Sequence, residues 1–253
     1  MPPPKQARSS MKVATRTRIV ASAGRLFRNQ GVEAASVGGV MAEAGLTHGG
    51  FYAHFASKQD LLREVLTHDH GFIRLLARRT PGPVVAWRRQ TARVFANYLH
   101  AANLSEVATG CSFAALTGDA ARADEAVRVG YRQAWVRLIG EVLRGPDVDA
   151  PAAYAAASAG QRQRAAALVG MSIGAVSLAR VLAPDAAAAA LLRGVAAQAQ
   201  ALLKGLFDDC AQRTTPRAPR THVRLPAQPP PAGSATPASP PKRARRTARR
   251  AAP

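Results

Sequence analysis

Residues 44–61 carry hydrogen-bonding chemistry at close spacing: Thr47, His48, Tyr52, His54, Ser57 and Lys58, with Gly45, Gly49 and Gly50 between them. Hydroxyl and imidazole groups suit base edges and phosphates, and a lysine suits a phosphate. The glycines permit a tight turn and a close backbone approach to a partner. No Gly-x-Ser-x-Gly, phosphate loop, metal-spaced carboxylates or placeable nucleophile–base pair occurs anywhere in the chain. A binding protein without catalytic activity, cofactor or metal is therefore expected.

The elements around this run read as helices. Ile19, Ala23, Leu26 and Phe27 recur at helical spacing and predict a helix from Thr15 to about Asn29, stopped by Gly31. Ser36 suits the N-cap of a second helix, running to Ala44 with Val37, Val40 and Met41 inward. Gly45 makes the turn, and Thr47 caps a short third helix. Ser57 and Asp60 have capping-box spacing and open a fourth helix, predicted to end near Leu76. Two helices joined by a glycine turn present the second one to the DNA major groove.

The string Ser36-Val37-x-x-Val40-x-x-x-Ala44-Gly45-Leu46-Thr47-x-Gly49-x-Phe51-Tyr52-x-His54-Phe55-x-Ser57-Lys58-x-x-Leu61 resembles the N-terminal signature of the TetR/AcrR regulators, over roughly residues 15–66. Met41 stands where that family usually has alanine, and Gly38 and Gly39 lie inside the second helix. The resemblance and the side-chain chemistry together give a DNA-contact set of Ser36, Thr47, His48, Gly49, Gly50, Tyr52, His54 and Lys58. Thr47 and His48 are favoured for base contact, His54 and Lys58 for the backbone. Phe51 and Phe55 are expected to pack the small core. Tyr52 can bury its ring and still offer its hydroxyl.

Charge is distributed unevenly over the 253 residues, whose formal net charge is +20. Residues 1–79 hold 12 basic and 5 acidic residues, 80–210 hold 13 and 10, and 211–253 hold 10 and none. The middle is balanced like an ordinary globular segment, whereas both ends suit a polyanion. Four segments follow: a flexible basic arm (1–14), the helix-turn-helix domain (15–79), a helical domain (80–210) and a disordered Pro/Ala/Arg-rich tail (211–253). Prolines and like charge in the tail argue against a packed fold. It suits either nonspecific DNA contact or simple solvation. Cys111 and Cys210 make no disulfide framework or metal cluster. No apolar leader follows the N-terminus, and Ala165–Ala179 is a short, small-residue run for a membrane span. A cytoplasmic location without membrane contact is expected, at the bacterial nucleoid by the resemblance.

The middle shows helical periodicity throughout, so the fold class is all-α. Helices are predicted over 83–99, 121–143, 160–182 and 185–209, with a short apolar piece at 110–116. The resemblance implies a ligand-binding and dimerisation domain here. It puts the subunit interface on Leu168, Met171, Ala175, Leu178, Leu191, Val195, Leu202 and Leu206. It puts a ligand pocket among Trp87, Phe95, Tyr98, Cys111, Phe113, Tyr131, Trp135 and Met171. Few charges fall on those faces, so a neutral or weakly polar hydrophobic ligand is expected. Cys111 suits a thiol sensor or a small buried hydrophobe. The implied function is a dimeric repressor of a palindromic operator on double-stranded DNA, released by a small-molecule inducer. A nonspecific DNA-compacting protein driven by the tail is the alternative.

Overall fold

The computed structural model describes residues 5–68 and 70–214, with side chains for 9–68 and 70–208. The tail beyond 214 and residues 1–4 of the arm lie outside the described residues. Every regular element among the described residues is helical.

Helix α1 spans Lys5–Ala34 and leaves helical angles at Gly31 (φ 81, ψ 161). It begins ten residues before the expected Thr15, so residues 5–14 of the expected arm are helical. No glycine or proline interrupts 5–23, and Lys, Gln, Ala, Arg and Met there are good helix formers. Helix α2 is Val37–Glu43, with the Ser36 hydroxyl accepting from Gly39 N at 3.0 Å. It closes in a Schellman arrangement: Gly45 N bonds Ala42 O and Leu46 N bonds Met41 O, both at 2.9 Å. Gly45 sits at φ 66, which a residue with a β-carbon resists.

Helix α3 is Lys58–His68 and α4 is Gly71–Ala77. The single helix expected to Leu76 is therefore two. His70 is extended (φ −116, ψ 115), and a β-carbon on Gly71 would lie 2.6 Å from the Gly110 carbonyl oxygen. The chain bends there to let the 109–110 backbone pass. Helix α5 is Val84–Tyr98, α6 Ser112–Arg122, α7 Glu125–Leu143, α8 Ala150–Ala156, α9 Ala159–Leu182 and α10 Ala186–Thr214. Asp124, Asp149 and Ser158 cap α7, α8 and α9, the last in a full capping box with Gln161. Helix α8 has no counterpart among the helices read from the sequence.

Two apolar cores result. One gathers Ile19, Phe27, Phe51, Phe55, Leu61 and Leu66 with Leu116, Ala120 and Val127 from α6 and α7. The other gathers Phe72, Phe95, Phe113, Leu138, Leu168, Val176 and Leu203. The N-terminal core thus crosses the boundary expected at 79. Helices α9 and α10 are long and apolar enough to span a bilayer by composition, yet each buries one face in the second core.

Candidate DNA interface and effector cavity

The short third helix is a 3₁₀ segment, His48–Ala53, rather than an α-helix. Thr47 occupies its N-cap position without a side-chain hydrogen bond, so the expected hydroxyl cap is absent there. Phe51 and Phe55 are fully buried, their rings stacked 5.7 Å apart, and they fasten the segment to the core. Met41 is buried as well, with its Cε 3.5 Å from where a β-carbon on Gly50 would sit. Thr47, His48 and Gly49 are exposed, and Tyr52 is 68% exposed with its ring edge-on to Phe51. This leaves hydroxyl, imidazole and phenol groups on one solvent-facing turn with no folding task.

Other members of the expected contact set are partly committed. The Ser36 hydroxyl caps α2. Lys58 Nζ donates to the Glu33 carbonyl at 2.9 Å, tying the start of α3 to the end of α1. Ser57 accepts from Asp60 N at 3.0 Å, while the Asp60 carboxylate accepts from Ala56 N at 3.3 Å, one residue off the ideal capping box. His54 is half-buried, and its carbonyl accepts from Arg16. Burial, then Lys12 and then Arg16 hold the His54 imidazole below the usual histidine range. Arg16 also pairs with Glu64 at 2.8 Å and lies over the Phe55 ring at 4.1 Å. Lys12 is therefore a cation beside the turn that sequence reading missed. Its signal was the i,i+4 spacing of Lys12, on the arm expected to be flexible, with Arg16 at the start of the first expected helix.

A second concavity, of about 310 Å³, lies between α4, the 103–111 segment, Tyr98 and α9. Of the eight expected pocket residues only Tyr98 and Cys111 line it. Trp87 is sealed elsewhere: its Nε1 donates to the Arg144 carbonyl at 2.8 Å, and the Arg79 and Arg144 guanidinium groups lie 4.2 and 4.5 Å from its ring. Arg79 is buried with Glu141 at 3.2 Å, and burial then Arg144 lower its pKa to about 10, so it stays cationic at neutral pH. Phe95 is core. Phe113 stacks on His70 at 4.3 Å and meets Tyr131 and Trp135 edge-on. The Tyr131 hydroxyl pairs with Thr117 at 2.6 Å, and Met171 packs on the core. Aromatic side chains fill one another's gaps here instead of lining a void.

The cavity's chemistry also departs from the expected neutral surface. Arg74, Arg78 and Arg180 line it against one carboxylate, Glu106, with Phe72, Leu75 and Val176 as apolar wall. Arg180 is the one charge between Arg164 and Asp185, a sequence signal passed over. Cys111 is buried, and burial pushes its thiol above the usual range, which disfavours the reactive thiolate. Arg28 of α1, 6% exposed, reaches the residues on either side of the Thr109–Cys111 lining: its Nε donates to the Ala108 carbonyl at 2.8 Å and its Nη1 to Ser112 Oγ at 3.0 Å.

Residues 19–65 match the family of bacterial regulatory proteins of tetR type. Over those residues the N-terminal unit is similar to a TetR-type domain. The HTH-type transcriptional regulator AcrR of Shigella flexneri is 45% identical over 51 residues, covering 20% of this chain and 24% of that protein. The HTH-type regulator YuxN of Bacillus subtilis is 34% identical over 85 residues, 32% of this chain and 29% of that protein. The matched stretch thus spans under a third of either relative. Two solved structures share the fold beyond the TetR-type domain. E. coli NemR in its reduced form has TM-score 0.52 at 17% identity, over 75% of this chain and 97% of that one. A transcriptional regulator from Pseudomonas aeruginosa PAO1 has TM-score 0.50 at 20% identity, over 78% and 92%.

Beyond the TetR-type domain, the expected subunit face divides. Leu168, Ala175 and Leu206 are buried in this chain's own core and cannot meet a partner. Leu178 is 59% exposed, and Met171, Leu191, Val195 and Leu202 are half-buried. Val181, 83% exposed, extends the same row and was not anticipated. The error has a physical origin: α9 is apolar on nearly every side, so residue type does not say which side turns inward.

Proposed function

We propose that this chain is a cytoplasmic, dimeric transcriptional repressor that reads a palindromic operator and leaves it when a small molecule fills the effector cavity. The observation that carries the reading is the 47–52 turn. Its groups suited to base edges stand in solvent while buried phenylalanines fix the backbone beneath them. Thr47, His48 and Tyr52 meet base edges or phosphates, Gly49 and Gly50 allow close approach, and Ser36, His54 and Lys58 flank the backbone. Lys12 adds a phosphate contact.

The dimer face consists of Met171, Leu178 and Val181 on α9 with Leu191, Val195 and Leu202 on α10. Nothing lies within 4 Å of where β-carbons would sit on Gly170, Gly174, Gly194 and Gly205, so a second copy can approach these helices closely. Two-fold pairing makes an inverted-repeat operator natural. Arg28 supplies the coupling, because a ligand that moves the 108–112 segment pulls directly on α1. The ligand must favour the DNA-incompetent state for release to follow.

Fluorescence anisotropy of the full chain tests the reading, using DNA upstream of its own gene with scrambled duplex as competitor. A preference of about a thousandfold is expected for a specific regulator. Equal affinity for every duplex would favour the nonspecific compacting protein instead.

A further inference from the structure

We propose that the effector cavity takes an organic monocarboxylate with a short apolar body, its carboxylate held by Arg180 and the Tyr98 hydroxyl. The inference rests on the effector reading above and adds the ligand's chemical class.

Two side chains that line this cavity, Arg180 and Tyr98, each carry a buried polar atom without a partner. Arg180 Nε is buried without a hydrogen-bond partner. The Tyr98 hydroxyl, on a side chain 6% exposed, has the Cys111 thiol beside it and no oxygen or nitrogen partner. Thiols are weak hydrogen-bonding groups, so that contact leaves the phenol largely unsatisfied. Buried donors without acceptors are uncommon and unfavourable. Both lack the same thing, an acceptor, and a carboxylate supplies several lone pairs to a guanidinium and a phenol together.

The surrounding charge selects the same ligand. Arg74 and Arg78 stand on the α4 side, with Arg74 Nη2 also reaching the Thr109 carbonyl at 3.1 Å. Three guanidinium groups against Glu106 leave an excess of positive charge that suits one anionic head. Glu106 disfavours a second. Phe72, Leu75 and Val176 form an apolar wall that a fully hydrated inorganic ion does not use. At about 310 Å³ the volume lies at the small end of ligand sites, which run from roughly 300 to 1,000 Å³. A neutral apolar ligand would leave Arg180 Nε and the Tyr98 hydroxyl unpaired and would bury the Arg74, Arg78 and Arg180 charges without a counter-charge, and that disfavours it.

Isothermal titration calorimetry on the full chain, without DNA, tests this with benzoate, phenylacetate and hexanoate, each beside its primary amide, and with inorganic phosphate. At least one acid should bind about tenfold or more tighter than its amide and than phosphate. Arg180→Gln should remove that preference, Arg180→Lys should keep part of it, and Tyr98→Phe should weaken the acid severalfold, all with far-UV circular dichroism unchanged. Amides equal to acids, phosphate preferred, no acid bound, or an acid preference surviving Arg180→Gln would each overturn the assignment. DNA binding is read separately by anisotropy, so a failure here leaves the regulator reading standing, and the converse holds.

Discussion

At the TetR-type end, Thr47, His48 and Tyr52 stand in water, their polar groups satisfied by solvent until a partner replaces it. At the cavity end, the Tyr98 hydroxyl and Arg180 Nε are enclosed and have no such substitute. The first arrangement adds little strain to the free protein and leaves specificity to the partner's base edges. The second keeps donors desolvated before the ligand arrives, so each contributes more when an acceptor appears. Arg28 joins the two ends, with its backbone in α1 and its guanidinium on Ala108 and Ser112, which flank the Thr109–Cys111 stretch of the cavity lining.

The largest expected effect comes from removing what holds the exposed turn rigid. Phe51→Ala should lower stability by about 3–5 kcal/mol in urea unfolding, because the ring is fully buried. A loss near zero would mean that the turn is not anchored by the core. Next, Arg28→Met should lower stability by about 2 kcal/mol, since it strands the Ala108 carbonyl and the Ser112 hydroxyl. Its diagnostic result lies elsewhere: DNA affinity should persist while release by a bound carboxylate disappears. Release that survives the change would separate the two ends.

Within the DNA end, His48→Ala should reduce discrimination between operator and mutated operator by about 1.5 kcal/mol, near tenfold. Lys12→Ala should instead weaken all duplexes alike and reduce the salt slope by about 0.9. Identical behaviour of the two variants would erase the division between base and phosphate contacts. Gly45→Ala should cost about 1 kcal/mol through its positive φ, read by thermal unfolding. The smallest effect is acid sensitivity at His54. Its folded pKa lies below the usual 6.5, so the unfolded chain binds more protons as pH falls through that value. Stability should decline below about pH 6.5, and His54→Gln should flatten the decline. A stability that rises toward acid would contradict the burial of that ring.

The TetR-type end was readable because its signals are local. Ser36, Gly45, and Ser57 with Asp60 each act on backbone groups within four residues, so spacing alone places them. The 3₁₀ form of the 48–53 segment was not readable, since Phe51 and Phe55 pull it onto a core built partly from α6 and α7. The cavity depended on distant encounters. Tyr98 and Cys111 meet Arg180 only because α9 packs past α4 and the 103–111 segment. Residue type favoured Phe113, Tyr131 and Trp135, but these large rings satisfy one another. The break at His70 likewise rests on Gly110, forty residues away, approaching Gly71.

Selection from a pool of random duplexes, with the full chain as bait, tests most directly the claim that two copies of the 47–52 turn read DNA sequence. Enrichment of an inverted repeat, lost with His48→Ala, is the predicted result. A pool that stays random after repeated rounds, while still binding the protein, would contradict it.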